Sequence, residues 1–311
     1  MVKKLGSYFS SFNSLDQLSS LTDDKCKEIL AESRWGSDIV CPYCGGHHCH
    51  KGRSRYWCPY CGLKFSVLVG TIFENTKVSL RKWFMAIYLI SYHKKGISSC
   101  QLAKDISVTQ KTAWYMLMKI RTLFIQKEVR FRGQIEIDEV YIGGKESLKH
   151  RSRRKFNTQG RSIQTKMPVL GILRRGKQST VRAYALTTIH RFKVLPIIAH
   201  ICEQGSQVYT DELIIYDKLS SLGYDHQVVP HGLDCYVNGP VHTNSIEGFW
   251  AHLKRMIYTY HQISKTHLQE YVDESVFRWN NRSRSGGTTF SILMKRSLKV
   301  VKYKDIRSRS I

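Results

Sequence analysis

The sequence has no long apolar run: no stretch approaches the roughly 18 consecutive apolar residues that a membrane-spanning helix needs. Its first residues, Met1–Phe9, also lack the apolar core of a signal peptide. We therefore expect neither a membrane anchor nor export. Nine cysteines in a chain without an export signal argue against a disulfide framework and favour a reducing, intracellular compartment.

Acidic residues are also scarce. The chain has 24 Asp and Glu against 49 Lys and Arg, so its formal net charge is +25. Such an excess favours a polyanionic partner, because phosphates neutralised by basic side chains release counterions. We expect that partner to be nucleic acid; a basic surface that serves only solubility is the alternative. At 311 residues and 42% hydrophobic content, the chain can form two or three folded domains.

Composition divides the chain into four segments. Residues 1–70 are expected to hold an N-terminal helix and a cysteine-rich module, and 71–130 to be helical. Residues 131–285 open with strand patterns and end with helices, and 286–311 form a basic tail. In the second segment, apolar residues recur at helical spacing after Ser79, a candidate N-cap.

The cysteine-rich module carries the most specific metal signal. It contains two C-x-x-C pairs separated by residues 45–57: Cys41, Cys44, Cys58 and Cys61. Two such knuckles complete a tetrahedral zinc site, and four thiolates leave no open position for catalysis, so we expect the zinc to be structural. Gly45 and Gly62 directly follow the pairs, where a knuckle commonly needs a positive φ. Residues 47–50, which include further potential ligands, are interpreted as loop.

Residues 97–121 fit a helix-turn-helix. Ser98 or Ser99 can cap the first helix, residues 107–109 make the turn, and Thr109 caps the second helix. The expected buried stripe of the second helix is Ala113, Met116, Leu117 and Ile120. In DNA-binding motifs of this kind the start of the second helix enters the major groove. Amphipathic helix pairs also occur for structural reasons alone, so DNA recognition here is a hypothesis.

Strand and helix patterns alternate over residues 131–260. The expected strands are 134–142, 167–174, 180–186, 207–210 and 226–229. The expected helices between them are 194–202 and 213–222. Three strands, a helix and then strand–helix units predict a mixed α/β sheet covered by helices.

Acids at strand ends mark the candidate catalytic site. Asp138 lies in the first strand and Asp211 closes the fourth, so the two meet if these strands are neighbours. A helix beyond residue 242 follows. The expected buried side of that helix is Ile246, Phe249, Trp250, Leu253 and Ile257. Another face carries Asn244, Glu247 and Lys254.

Three acids placed in this way can hold two divalent ions for cutting and rejoining phosphodiesters. Oxygen ligands favour Mg²⁺ or Mn²⁺, bound by Asp138, Asp211 and Glu247, while Lys254 reaches a phosphate. Strand alternation predicts that Glu139 points away from Asp138. The lesser candidates are therefore Glu136, which shares the face of Asp138, and Glu212, which follows Asp211.

Several motifs resemble those of bacterial insertion-sequence transposases that join an N-terminal zinc ribbon to an RNase H-like DDE domain, the ISXO-like group. The matching segments are Cys41–Gly45, Trp57–Gly62, Lys64–Ser66, Gly70–Phe73, Ile135–Gly144, Tyr209–Glu212, His242–Trp250 and Phe277–Arg282. The likeness covers roughly residues 10–285. It implies an RNase H-like fold and an enzyme that binds terminal inverted repeats of double-stranded DNA, nicks them and joins the 3′ ends to a target.

The resemblance also implies roles for individual residues. Asp138 and Asp211 match the first two catalytic acids. Some members of the family use an Asn as the third catalytic residue, which here would be Asn244. An amide oxygen is a weaker metal ligand than a carboxylate, so chemistry favours Glu247, and its spacing to Lys254 is similar to that in DDE enzymes. A homodimer or larger complex on DNA is implied, located in the cytoplasm at the nucleoid, or in the nucleus of a eukaryotic host.

Two other functions fit parts of the pattern. One is a catalytically silent DNA-binding regulator derived from a transposase, and the other is a structure-selective nuclease on the same fold. The presence of all three acids and Lys254 favours the active transposase. We also expect the basic stretch 145–161 to be an exposed loop that contacts the DNA backbone, and the basic tail can add further contacts.

Overall fold

The computed structural model describes residues 9, 12, 14–126, 128–144, 150–155, 165–229, 242–261 and 263–298. These residues form two compact units. The first contains the described residues up to Phe124 and those from Ser283 onward, and the second runs from Ile125 to Arg282. The division of the chain into four segments stays a prediction.

The first unit combines a small antiparallel sheet with helices. Its strands pair in the order β1 (His50–Lys51), β2 (Tyr56–Trp57) and β3 (Lys64–Phe65). Its helices are α1 (Leu15–Ser19), α2 (Asp23–Trp35), α3 (Leu80–Tyr92), α4 (Ser99–Asp105), α5 (Gln110–Arg121) and α9 (Gly286–Arg296), with a 3₁₀ turn at Thr122–Phe124. Residues 286–296, predicted as the start of the tail, are therefore helical. Residues 299–311 lie outside the described residues.

Aromatic side chains form part of the core of this unit. The ring of Phe9 packs edge to face on Phe84 of α3 and on Phe290 of α9, with centroids 6.3 and 6.1 Å away. Gly286 lets α9 begin against the end of α3, because a Cβ at this position would lie 2.7 Å from the ring of Tyr92. Helix α3 begins directly after Ser79, as predicted, although the Ser79 side chain makes no capping hydrogen bond.

The second unit is built on a five-stranded mixed sheet in the order β6-β5-β4-β7-β8. The strands are β4 (Gln134–Ile142), β5 (Met167–Arg174), β6 (Thr180–Ala185), β7 (Gln207–Thr210) and β8 (Asp225–Val228). β4 pairs antiparallel with β5, as β5 does with β6, whereas β7 pairs parallel with both β4 and β8. All five predicted strands are confirmed, with ends that differ by at most one residue.

Helices cover both faces of this sheet. On one face, α6 (Arg191–Ile201) packs its buried residues Val194 and Ile198 against Ile135 and Ile137 of β4. On the other face lies α7 (Asn244–Thr259), with α8 (Leu268–Asn280) packed beside it. Because side chains alternate along β4, Glu136 and Asp138 face α7.

The predicted helix over 213–222 is wrong. This segment consists of two 3₁₀ turns, Ile214–Tyr216 and Ser220–Leu222. Asp211 Oδ1 accepts a hydrogen bond from the backbone N–H of Leu213 at 3.1 Å, which closes a local turn just before the first of them. Gly223, at φ 89°, ends the segment. The basic stretch 145–161 lies largely outside the described residues; 151–153 form a further 3₁₀ turn.

Candidate functional site

Parallel pairing of β4 and β7 brings Asp138 and Asp211 together. Glu136 pairs with Tyr209; Asp138 lies two residues further along β4, and Asp211 lies two residues after Tyr209, just past the carboxyl end of β7. Carboxylate oxygens of Asp138, Asp211 and Glu139 all lie within 4.8 Å of one another. The two strands are therefore neighbours, as the predicted meeting of the two aspartates requires.

Glu139 was expected to point away from this site, and that expectation is wrong. Its Cβ does lie on the opposite face of β4 from that of Asp138, and the hydroxyl of buried Tyr216 donates to its Oε2 at 3.1 Å. However, β7 ends at Thr210, so the edge of β4 is not covered by a paired strand at this level. The Glu139 side chain is longer than that of an aspartate, and its carboxylate lies within 4.8 Å of those of the two aspartates. Alternation sets the direction of Cβ, but not the position of a carboxylate two bonds further out.

The two lesser candidates have other surroundings. Glu136 is fully buried, and its carboxylate accepts from Nε of Arg175 and from the backbone N–H of Ile246. Its oxygens therefore face an arginine and a helix terminus. Glu212 is exposed just after Asp211. Among the described residues, neither belongs to the group of acids that could hold a metal.

Helix α7 presents its exposed face where the third acid was expected. Asn244, Glu247 and Lys254 are all exposed, whereas the opposite side of the helix is buried. The buried residues are Ile246, Phe249, Trp250, Leu253 and Met256. Ile257, predicted to be buried, is only half-buried, and Met256 takes its place in the core. Asn244 and Glu247 both lie in the first turn of the helix, and Glu247 is not part of the three-acid group of the described residues.

The surroundings of Asp138 disfavour its negative charge. Burial raises the pKa of the Asp138 carboxyl above its ordinary value, and the negative charges of Asp211 and Glu247 raise it further. A hydrogen bond from Nε1 of Trp250 to Asp138 Oδ2, at 2.8 Å, opposes this rise. Glu247 is thus close enough to Asp138 for its charge to act there. Clustered carboxylates of this kind are relieved by a divalent cation, and their hard oxygen donors fit Mg²⁺ or Mn²⁺.

The four predicted zinc ligands converge in the first unit. The sulfur atoms of Cys41, Cys44, Cys58 and Cys61 lie within 4.8 Å of one another. The Sγ–Sγ separations are 3.7 Å for Cys41 with Cys61 and 3.6 Å for Cys44 with Cys58. A tetrahedron with metal–sulfur bonds of roughly 2.3 Å has edges of roughly 3.8 Å, so this arrangement fits zinc.

The glycines that follow the two knuckles have the predicted backbone conformation. Gly45 has φ 75° and Gly62 has φ 70°. Each donates its N–H to the carbonyl of the first cysteine of its pair, Cys41 or Cys58, at 3.0 Å. These turns direct both thiols of a pair to the same side, which is why a glycine is favoured there.

The helix-turn-helix pattern is also present in the first unit. Ser98 Oγ accepts from the N–H of Gln101, and Thr109 Oγ1 accepts from the N–H of Thr112, which caps α4 and α5 as predicted. Ser107 adopts φ 50° in the turn. All four residues of the expected stripe are buried: Ala113, Met116, Leu117 and Ile120. Gln110 and Lys111, at the start of α5, are exposed.

Comparison with known proteins finds matches to a part of each unit. A family model described as "ISXO2-like transposase domain" matches residues 130–280, and one described as "Transposase zinc-ribbon domain" matches 21–64. A Halobacterium salinarum protein, named "Uncharacterized protein in transposable element ISH50", is 30% identical over 268 residues. That match covers 81% of this chain and 89% of the relative.

The chain belongs to the ISXO2-like transposase family of insertion sequences. A second relative, an "Uncharacterized transposase-like protein" of Haemophilus influenzae, is 33% identical over 88 residues, which is 28% of this chain and 71% of that protein. The predicted fold class, an RNase H-like mixed sheet preceded by a zinc ribbon and a helix-turn-helix segment, is confirmed.

The matched regions of this ISXO2-like transposase contain the residues singled out above. The transposase-domain match spans Asp138, Glu139, Asp211, Asn244, Glu247 and Lys254, and the zinc-ribbon match spans the four clustered cysteines. No helix among the described residues is long and apolar enough to cross a bilayer. Sequence reasoning missed Glu139 as a member of the acid group. The signal that could have found it is that Glu139 directly follows Asp138. Both residues lie in the part of β4 beyond the end of its parallel partner strand, β7.

Proposed function

We propose that this transposase is catalytically active, binding the ends of its insertion sequence as double-stranded DNA and catalysing metal-dependent DNA cleavage and strand transfer. The observation that carries this proposal is the group of three carboxylates, Asp138, Glu139 and Asp211, within 4.8 Å of one another in a transposase domain. A group of like charges at the end of a strand pair is costly for stability alone, which supports a functional reason for it.

The acid group provides the ligands for Mg²⁺ or Mn²⁺. Asp138 on β4 and Asp211, just after β7, would hold the cation, and Glu139 would add a carboxylate from the far face of β4. When bound, a divalent cation lowers the pKa of the attacking water or 3′-hydroxyl and neutralises charge on the leaving oxygen.

Helix α7 supplies the remaining groups. Glu247 acts as the third catalytic acid, because it is exposed in the first turn and its charge acts on Asp138. Asn244 is its rival, three residues earlier on the same face. Lys254, further along the exposed side, contacts a phosphate of the DNA and offsets its negative charge.

The first unit supplies the contacts to DNA. In the proposed arrangement the exposed start of α5, at Gln110 and Lys111, reads the inverted repeat in the major groove. The four cysteines hold a structural zinc that stabilises the ribbon. The net charge of +25 supports binding to the phosphate backbone. Assembly as a homodimer or larger oligomer on DNA, in the cytoplasm at the nucleoid or in the nucleus of a eukaryotic host, completes the proposal.

The test is a cleavage and joining assay on DNA that carries the element's ends, with Mg²⁺. Asp138→Asn and Asp211→Asn should each abolish cleavage and joining while end binding in a gel-shift assay is retained. Asp225→Asn is the matched control. Asp225 is exposed at the start of β8, which pairs with β7, so it lies at the end of the strands opposite to Asp211. Joining activity retained in either site variant would contradict the proposal. A wild-type protein that binds the ends but never cuts them would favour the silent regulator.

A further inference from the structure

A buried ion pair contacts all three segments that carry the proposed catalytic acids. Glu136 on β4 is fully buried, and Arg175, which follows β5 and is only 13% exposed, donates to it through Nε. The second carboxylate oxygen of Glu136 accepts from the N–H of Ile246 at 2.8 Å. Arg175 also donates to the backbone carbonyl of His242, and its guanidinium lies 4.4 Å from the ring centroid of Tyr209.

These contacts lie beside the acids in sequence, on three different elements. On β4 and β7 the contacting residue is two positions before the aspartate, and on α7 it is the residue directly before the glutamate. The pairs of contacting residue and acid are Glu136 with Asp138, Tyr209 with Asp211, and Ile246 with Glu247. A shift of the ion pair would therefore move all three acids relative to one another.

The nature of the contacts points to positioning. Removing two charges from water costs several kcal/mol per ion, and the pair attraction offsets this only where further hydrogen bonds complete the geometry. An apolar pair of similar volume would often stabilise such a site as well or better. What an apolar pair could not supply is an acceptor for the Ile246 N–H, which belongs to the first turn of α7 and has no acceptor within the helix. Glu136 supplies that acceptor from β4.

We propose that Glu136 and Arg175 are positioning residues that hold the proposed metal-binding acids at their working separation. This inference rests on the function proposed above. Neither side chain touches the metal or the DNA in this account; both act by fixing the start of α7 and the end of β7 against β4. Partners of this kind, one step removed from a metal, typically contribute 10–100-fold to metal affinity or activity.

The test measures Mn²⁺ binding to the full chain without DNA, by titration calorimetry, so that it does not depend on turnover. The Asp211→Asn variant, which lacks one carboxylate of the acid group, measures how much Mn²⁺ binds elsewhere on the chain. Arg175→Lys keeps the charge but loses the guanidinium fork, and Glu136→Gln keeps an acceptor for Ile246 but loses the charge. Each should weaken the Asp211-dependent binding by roughly tenfold or more. The double variant should bind Mn²⁺ about as tightly as the single variant with the lower affinity. The two effects should not add, because both residues act through one contact network.

Arg282→Lys is the matched control. Arg282 also lies over an aromatic ring, with its guanidinium carbon 4.7 Å from the centroid of Trp279, and donates to the backbone carbonyl of Ser179 at 3.0 Å. Through these bonds Arg282 contacts none of the three segments that carry the acids. The Arg282→Lys protein should therefore bind Mn²⁺ as tightly as the wild type does. If Glu136→Gln fails to fold by circular dichroism, Arg175→Lys decides the question alone.

Two results would overturn the inference, and they differ in meaning. If Arg175→Lys and Glu136→Gln bind Mn²⁺ as tightly as the wild type, these residues do not position the acids, while the proposed function stands. If the wild type binds Mn²⁺ no better than Asp211→Asn does, the metal site itself is absent. The proposed function then fails together with this inference.

Discussion

Trp250 on α7 donates a hydrogen bond from Nε1 to Oδ2 of Asp138 on β4, at 2.8 Å. The indole reaches the strand because Gly171 on β5, directly opposite Asp138, has no side chain. A Cβ at Gly171 would lie 2.6 Å from two atoms of the indole ring. The position of one catalytic candidate therefore depends on a glycine of the neighbouring strand and on the packing of α7 against the sheet.

Gly171→Ala should displace Trp250 and weaken its bond to Asp138. Overpacking of this kind typically costs about 1–3 kcal/mol of stability. We expect a lower melting temperature, changed tryptophan fluorescence and reduced DNA joining. Gly144→Ala is the control, because a Cβ at Gly144 would meet no atom of the described residues within 4 Å. A Gly171→Ala protein with wild-type stability and fluorescence would show that the indole can shift at no cost.

Tyr216→Phe tests the unexpected position of Glu139. The variant removes the hydroxyl that donates to Glu139 Oε2. A less well oriented carboxylate should weaken Mn²⁺ binding by about tenfold, and Glu139→Gln should weaken it at least as much. Tyr224→Phe is the matched control, since Tyr224 is also buried but donates to the carbonyl of Cys202. Unchanged Mn²⁺ affinity in Glu139→Gln would exclude Glu139 as a ligand.

The elements that the sequence predicts well are those with strong local patterns. The bounds of β4 and β5 follow from runs of β-branched and apolar residues, and the α4 and α5 caps follow from Ser98 and Thr109. The cysteine cluster follows from the spacing of two knuckles, each closed by a glycine. In all these cases the residues that decide the structure are neighbours in the chain.

The features that the sequence does not predict depend on distant contacts. Glu139 joins the acid group because β7 ends early beside β4, and that requires knowledge of strand order and register. Met256 is buried in place of Ile257 because packing of α7 on the sheet, rather than hydrophobicity alone, selects its buried side.

Loss of the zinc ligands should unfold the ribbon locally. In Cys41→Ser/Cys44→Ser, two of the four thiols that lie within 4.8 Å of one another are removed, so we expect loss of bound zinc and increased proteolysis of residues 38–66. The zinc content of the purified proteins is measured by inductively coupled plasma mass spectrometry. Cys100→Ser, at an exposed cysteine of α4, should retain zinc. Purified wild-type protein without zinc would contradict the prediction.

The third catalytic residue can be assigned by comparing two variants of the same helix turn. We expect Glu247→Gln to reduce Mg²⁺-dependent joining by at least about 100-fold, as loss of a group used in the transition state does. Asn244→Ala should be far less damaging, because an amide oxygen is the weaker ligand. Both residues are exposed in α7, so neither change should alter folding. The reverse ranking would assign the role to Asn244.

The raised pKa of Asp138 predicts a pH-dependent gain in stability for Asp138→Asn without metal. A carboxyl whose pKa rises on folding stabilises the folded state fully only below the ordinary aspartate pKa of about 3.9, and this contribution is lost as the pH rises through the raised pKa. Wherever Asp138 is ionised, its buried charge therefore destabilises the fold, and Asn should raise the melting temperature. The difference should vanish toward pH 3.

Added Mn²⁺ should stabilise the wild type but not the variant. The exposed control Asp225→Asn should show neither effect, and an Asp138→Asn protein that melts below the wild type at pH 7 would refute the account of the buried charge.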